Sequence, residues 1–267
     1  MSLAENRGAK IYWDEQGQGD PVLLIMGLGW ASNMWHRTRP VLAARYRTIA
    51  FDNRGAGRSD VPSGPYSIAL LASDAAAVLD AAGVARAHIL GASMGGMISQ
   101  EFALQYPDRV RSLILACTTA GGPRAVQAEP EAVQLLFRRE DSSPAERANA
   151  AVPFIYDSGT PRERIDQDLA VLSEWYPHPQ GYTAQLLAIL AWEADSRLSK
   201  VTAPTMVVHG ENDRLVPSAN GRLIAERIPG AQLVLLPHAS HIFMTDQPTA
   251  AHHTFLDFLS KQQASNP

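Results

Sequence analysis

The run from Ala87 to Tyr106 constrains this chain more than any other. A strand-like apolar stretch, Ala87 to Leu90, meets Gly91-Ala92-Ser93-Met94-Gly95 and passes into a helix-like stretch, Met97 to Tyr106. Strand, G-x-S-x-G, helix is far more specific than the five residues alone. A turn this sharp brings the residues two before and two after the serine almost into contact. Gly91 and Gly95 have no Cβ to prevent it. The serine is held in a strained conformation at positive φ, which is uncommon outside glycine. Its hydroxyl is pushed out beyond the sheet edge. The N–H of Met94 opens into the same space at a helix N-terminus, where partial positive charge collects. A turn that only packed would not need serine between the glycines.

A serine hydroxyl needs a base to take its proton and an acid to orient that base. Two downstream strands supply both on their exit loops. Thr205 to Gly210 is apolar and leads into Glu211-Asn-Asp-Arg-Leu-Val-Pro217, which puts Asp213 just past a strand end. Gln232 to Leu236 leads into Pro237-His-Ala-Ser-His-Ile242, which puts His241, and also His238, past the next.

The rest of the chain alternates strands and helices. Gly8 to Asp14 and Pro21 to Met26 read as strands, joined by Gln16-Gly-Gln-Gly-Asp20 as a hairpin connection. Trp35 to Ala44 reads as one helix, Tyr46 to Phe51 as a strand, and Ser67 to Ala82 as a helix stopped by Gly83. Val110 to Cys117 is again a strand. From Thr118 to about Leu198 the alternation breaks into helix-like segments only: Glu131 to Arg139, Pro144 to Tyr156, Pro161 to Trp175 and Gly181 to Ala194. It resumes at Thr205, with helices over Ser218 to Ile228 and Thr249 to Ser260, and Gln262 to Pro267 expected to fray. Such alternation predicts an α/β architecture: a mostly parallel sheet with helices on both faces.

With these motifs in order, the chain resembles the α/β-hydrolase superfamily over nearly its whole length. The matching segments are Val22-Leu-Leu-Ile-Met-Gly-Leu-Gly29, Phe51-Asp-Asn-Arg-Gly-Ala-Gly-Arg-Ser59, Gly91-Ala-Ser-Met-Gly95, His209-Gly-Glu-Asn-Asp213 and His238-Ala-Ser-His241. The resemblance implies an α/β-hydrolase core over residues 1–120 and 200–267, with a helical cap over residues 121–199. It implies Ser93 as nucleophile, Asp213 as orienting acid and His241 as base, with the N–H groups of Leu28 and Met94 as the oxyanion hole. Two departures matter. Met26-Gly27 stands where the family often has His-Gly, and Ser240 stands where glycine often precedes the histidine, so His238 stays a second candidate base. The cap should roof Ser93, and Trp30, Trp175, Tyr182, Leu186 and Trp192 are the expected walls of an apolar pocket.

The closest patterns are bacterial enol-lactonase-like and methylesterase-like hydrolases. They imply cleavage of a carboxylic ester or lactone of a small, largely apolar substrate through an acyl-enzyme on Ser93. A cofactor-free perhydrolase, a carbon–carbon bond hydrolase and a triad-containing ligand receptor are the other readings. Haloalkane dehalogenases use aspartate at the position of Ser93, and prolyl aminopeptidases usually have Trp at that of Met94. Carbon–carbon hydrolases usually carry an aromatic residue where Ile242 stands.

Bulk properties narrow the remainder. The formal net charge is -4 over 267 residues, with no basic run, which argues against nucleic acid. No stretch reaches membrane-span length and the N-terminus has no signal-like apolar segment, so a cytoplasmic location is expected. The single cysteine, Cys117, lies in an apolar strand and reads as a buried structural thiol. No spacing fits zinc ligands or a phosphate loop, so no metal or other cofactor is expected. Nothing in the sequence fixes an oligomeric state. His88 and His209 read as core histidines, His252 and His253 as surface, and Asp52 and Arg54 as braces for a loop. Arg138-Arg139-Glu140-Asp141 reads as a solvated face.

Overall fold

The computed structural model describes residues 2–137 and 142–263. Eight strands form one sheet: β1 Ser2–Asn6, β2 Ala9–Gln16, β3 Pro21–Ile25, β4 Arg47–Phe51, β5 Ala87–Ala92, β6 Val110–Ala116, β7 Thr205–Gly210 and β8 Gln232–Leu236. Their order is β1-β2-β4-β3-β5-β6-β7-β8. The β1–β2 and β2–β4 pairs are antiparallel and all others parallel. The α-helices are α1 Arg39–Ala43, α2 Ile68–Ala81, α3 Met94–Gln105, α4 Pro130–Phe137, α5 Pro144–Ile155, α6 Arg162–Glu174, α7 Pro179–Leu190, α8 Ala219–Arg227, α9 Phe243–Asp246 and α10 Pro248–Gln263. The expectation for Arg138–Asp141 lies outside the described residues, as do residues 264–267 of the end expected to fray from Gln262; Gln262 and Gln263 continue α10. Among the described residues no helix is long and apolar enough to cross a membrane.

The parallel strands are buried on both faces, so their side chains divide between two cores. Leu23 and Ile25 of β3 join Ile89, Leu113 and Val207 beneath α2, α3 and α8. Val22 and Leu24 join Leu90, Ile114 and Val208 on the other face, against α1 and α10. This two-sided burial is why these strands read as continuous apolar runs and not as alternating ones. Ser67 caps α2 by accepting from Leu70 N–H at 3.0 Å, and Gly83 ends it at φ +67°.

Three expectations need correction. Gln16–Asp20 does turn, with Gly17 and Gly19 at φ +82° and +104°. It is not a hairpin, however, because β4 lies between β2 and β3. The connection runs across the entry to β4, where a Cβ on Gly17 would come 2.3 Å from the Tyr46 carbonyl oxygen. Ser2–Asn6 forms an edge strand that the sequence reading missed. It is anchored by tertiary bonds: Asn6 Nδ2 donates to Ser73 Oγ and Asp74 Oδ1, both at 2.7 Å. The single helix over 35–44 splits into a 3₁₀ turn, Ser32–Trp35, and α1. Pro40 has no N–H to continue a helix from residue 36 and sits instead in the first turn of α1.

Helices α4 to α7 fill the interruption between β6 and β7. The two ends of this insertion meet, with Gly121 bridged to Glu193 and Ala194 N–H donating to Ala120 O at 2.8 Å. α7 sits hard on the core: a Cβ on Gly181 would come 1.9 Å from the Gly55 carbonyl oxygen.

Candidate active site

The turn between β5 and α3 has the geometry that its glycines imply. Ser93 is at φ +58°. A Cβ on Gly91 would come 2.2 Å from the Gly95 carbonyl oxygen, and one on Gly95 would come 2.0 Å from that of Ile25. The strained residue is tied at both ends. Ser93 N–H donates to Ala116 O at 2.9 Å, and Ser93 O accepts from Gly96 N–H and Thr118 Oγ1, both at 2.8 Å.

The segment after β3 packs against it. A Cβ on Gly27 would lie 3.1 Å from that of Ser93. Asn53 Nδ2 holds Met26 O at 2.9 Å, and Gln185 Oε1 accepts Gly29 N–H at 2.7 Å. Among the described residues, the backbone N–H groups of Leu28 and Met94 have no protein acceptor. Met26 in place of histidine leaves this backbone arrangement intact.

Asp213 and His241 form a buried pair, with Oδ2 accepting from Nδ1 at 2.8 Å. The other oxygen, Oδ1, accepts Leu215 N–H at 3.0 Å and Val216 N–H at 2.8 Å. Burial opposes ionisation of Asp213. The charge of His241 and the N–H groups of His209 and His241 outweigh it and hold the carboxyl at about 2. His238 and Glu211 are both exposed, away from this pair. Ser240 does what a glycine could not. Its hydroxyl donates to Asn212 O at 3.2 Å and links the histidine loop to the acid loop.

Ser93 and His241 open into one cavity of about 190 Å³, far above the ~10–15 Å³ that one water needs. Among the described residues, neither Ser93 Oγ nor His241 Nε2 bonds another protein atom. Trp30 and Tyr182 lie on its wall, with Leu135, Phe154 and Leu215. Trp175, Leu186 and Trp192 do not. Trp175 is 39% exposed, Leu186 is buried elsewhere, and Trp192 Nε1 donates to Glu101 Oε2 at 2.8 Å. Within α7, Tyr182 lines the cavity and Leu186, one turn on, does not; Trp192 lies just past the end of the helix.

The wall is also less uniformly apolar than expected. Arg37, Thr38, Asp168 and Thr245 contribute to it. Asp168 is 1% exposed and accepts from four groups: His36 Nε2 at 2.9 Å, Arg37 Nε at 2.8 Å, Tyr156 OH at 3.1 Å and Thr245 Oγ1 at 2.6 Å. Burial opposes its charge, but these donors and Arg37 hold its pKa below the usual carboxylate value. A signal was present, because Asp168 interrupts the apolar stripe of Ile165, Leu169 and Leu172. Cys117 also lines the cavity, at φ +43°, and burial pushes its thiol well up. His88 donates or accepts through Nδ1 with Ser112 Oγ at 2.8 Å, and burial lowers its pKa to about 4. His252 is half-buried against Thr38 and not fully at the surface. Asp52 and Arg54 brace loops through Ser32, Arg58 and Asp74.

Comparison with known proteins gives a consistent set. A family model described as alpha/beta hydrolase fold matches residues 20–248. A protein of Azorhizobium caulinodans provisionally named carbamate hydrolase RutD is 33% identical, covering 97% of this chain and 98% of its own. The 3-oxoadipate enol-lactonase 2 of Acinetobacter baylyi is 33% identical, covering 89% and 88%. The crystal structure of the enol-lactonase from Burkholderia xenovorans LB400 superposes with a TM-score of 0.82 at 27% identity, covering 97% and 99%.

Proposed function

The chain belongs to the alpha/beta hydrolase fold family, and from that premise we propose that it is a serine hydrolase of carboxylic esters or lactones. One observation carries the reading. A serine held at φ +58° opens into the same cavity as a histidine bound to a buried aspartate. His241 takes the Ser93 proton as Oγ attacks the scissile carbonyl. Asp213 keeps the His241 proton on Nδ1 and stabilises the imidazolium. The unbonded N–H groups of Leu28 and Met94 receive the oxyanion, and loss of one such donor typically costs roughly a hundredfold or more. His241 then protonates the leaving oxygen, and water, activated by the same base, cleaves the acyl-enzyme.

Helices α4 to α7, over residues 121–199, act in this reading as a cap. They supply Leu135, Phe154 and Tyr182 to the cavity, which supports an apolar acyl or alcohol part with water kept out. Enol-lactonases among the similar proteins support the lactone option. A second reading, hydrolysis of a carbamate by the same steps, is favoured by the near full-length similarity to the protein named as a carbamate hydrolase.

The test is labelling with a fluorophosphonate and turnover of p-nitrophenyl esters of graded chain length, with a lactone and a carbamate in parallel. Ser93 should label stoichiometrically, and Ser93→Ala should lose labelling and turnover while remaining folded. Labelling that survives in the alanine variant would place the nucleophile elsewhere. Labelling without turnover of any substrate would favour a ligand receptor.

A further inference from the structure

His209 is a buried polar side chain that this chemistry leaves unused. It is the last residue but one of β7 and has no exposed surface. Its Nε2 lies 2.8 Å from the Val216 carbonyl oxygen. A carbonyl only accepts, so Nε2 carries the ring proton and Nδ1 is a bare acceptor. Among the described residues Nδ1 has no hydrogen-bond partner, and a Cβ on Gly221 would come 2.8 Å from it. The ring is therefore wedged between the α8 backbone and the loop after its own strand. Asp213 Oδ2 lies 3.3 Å from the same Nε2.

These contacts form a continuous path. His209 holds Val216 O, Val216 N–H holds Asp213 Oδ1 at 2.8 Å, and Asp213 Oδ2 holds His241 Nδ1 at 2.8 Å. The acid stands on a loop, where precision is hard to keep, but this path refers it to β7, a strand paired on both sides within the sheet. We propose that His209 is a positioning residue for the acid. It fixes the 213–216 turn through the Val216 carbonyl and sets the positive end of its N–H beside the carboxylate oxygen that holds His241. The proposal rests on the reading of Asp213 and His241 as acid and base. It assigns His209 no contact with substrate.

The physical consequence falls on His241. Without the His209 N–H, the Asp213 charge is met by fewer donors and holds the imidazolium proton more tightly. The test is to follow His241 by NMR in protein labelled with ¹⁵N-histidine, in wild type, His209→Phe and His209→Gln, with thermal melts to confirm folding. In His209→Phe the His241 midpoint should move to higher pH by about half a unit or more. Fluorophosphonate labelling near neutral pH should slow accordingly. Glutamine, which keeps an N–H donor, should restore part of both. A downward shift would mean that Asp213 has left His241, which also supports the brace.

An unmoved midpoint in a folded His209→Phe protein would overturn the proposal, whatever the melting temperature did. If that variant does not fold, Gly221→Ala decides, since it presses on the ring with the imidazole intact; an unmoved midpoint there has the same meaning. The midpoint is read without reference to Ser93. A wild type in which Ser93 never reacts would sink the acyl-transfer reading, and the midpoint would still decide the role of His209.

Discussion

At the scale of single residues, the site is a set of local strains and choices that the surroundings hold in place. A serine at positive φ costs of order 1–3 kcal/mol and persists only where neighbours over-determine it. Here Ala116, Gly96 and Thr118 do so through the Ser93 backbone. Burial and pairing with Asp213 favour His241 over the exposed His238 as the proposed base. His241→Ala should lower turnover by about a thousandfold or more, and His238→Ala should leave it within about tenfold. Asp213→Asn should be comparably damaging to His241→Ala, and Glu211→Gln mild. Steady-state kinetics on one activated ester checks all four, and the reverse ranking in either pair would reassign that role. The serine, the aspartate and the histidine were legible because each follows a strand with a distinctive exit loop. His209 as a neighbour of Asp213 was not. A histidine in an apolar strand looks the same whether its N–H meets an inert carbonyl or one in the loop that bears Asp213.

At the scale of elements, the insertion is fastened to the loops that carry Asp213 and His241. Asp246, at the end of α9, accepts Ser240 N–H at 2.7 Å with Oδ2, and Thr160 Oγ1 at 2.6 Å and Asp157 N–H at 3.2 Å with Oδ1. Asp157 in turn accepts Asn212 Nδ2 at 2.7 Å. The segment between α5 and α6 is thereby tied to the loops bearing Asp213 and His241. Burial, with the Asp157 charge nearby, raises Asp246 to about 6 against the three hydrogen bonds that lower it. The folded chain therefore binds this proton more tightly than the unfolded one. The resulting stabilisation is complete below the ordinary carboxylate value of about 4 and is lost as pH rises through about 6. Melts of wild type and Asp246→Asn between pH 4 and 8 should diverge in that window, the wild type losing more; parallel curves would dismiss the idea. Asp213 acts with the opposite sign and lower down. Its contribution is present above about 4 and lost as pH falls toward 2. A second prediction concerns α7. Gly181→Ala should cost about 1–3 kcal/mol, because the methyl meets the backbone of Gly55 and no flexible side chain. Denaturant midpoints would measure it, and an unchanged midpoint would mean that α7 can move off the core.

At the scale of the whole molecule, the cavity lies where the sheet's exit loops meet the inserted helices, and substrate choice should follow its walls. Trp30→Ala and Phe154→Ala should shift the preferred acyl length in a p-nitrophenyl ester series. Trp175→Ala and Trp192→Ala should leave the profile unchanged, Trp192→Ala losing stability through the bond to Glu101. A profile that moved with the second pair and not the first would show that the cavity is not the substrate site. By itself, the sequence determined the strand–helix alternation, the glycine-flanked turn at Ser93, the loops bearing Asp213 and His241, and the helical interruption. Each is encoded within a few neighbouring residues, through Cβ clashes, apolar runs or capping groups. Only the tertiary structure decided that β4 separates β2 from β3, that Ser2–Asn6 is a strand and that Asp168 stands on the cavity wall. It alone decided that Tyr182 of α7 reaches the cavity while Trp192, just past that helix, meets Glu101. Their tertiary partners lie far along the chain, 67 residues for Asn6 and Ser73, 91 for Trp192 and Glu101 and 132 for His36 and Asp168, and local propensity carries no record of which distant surface a side chain will meet.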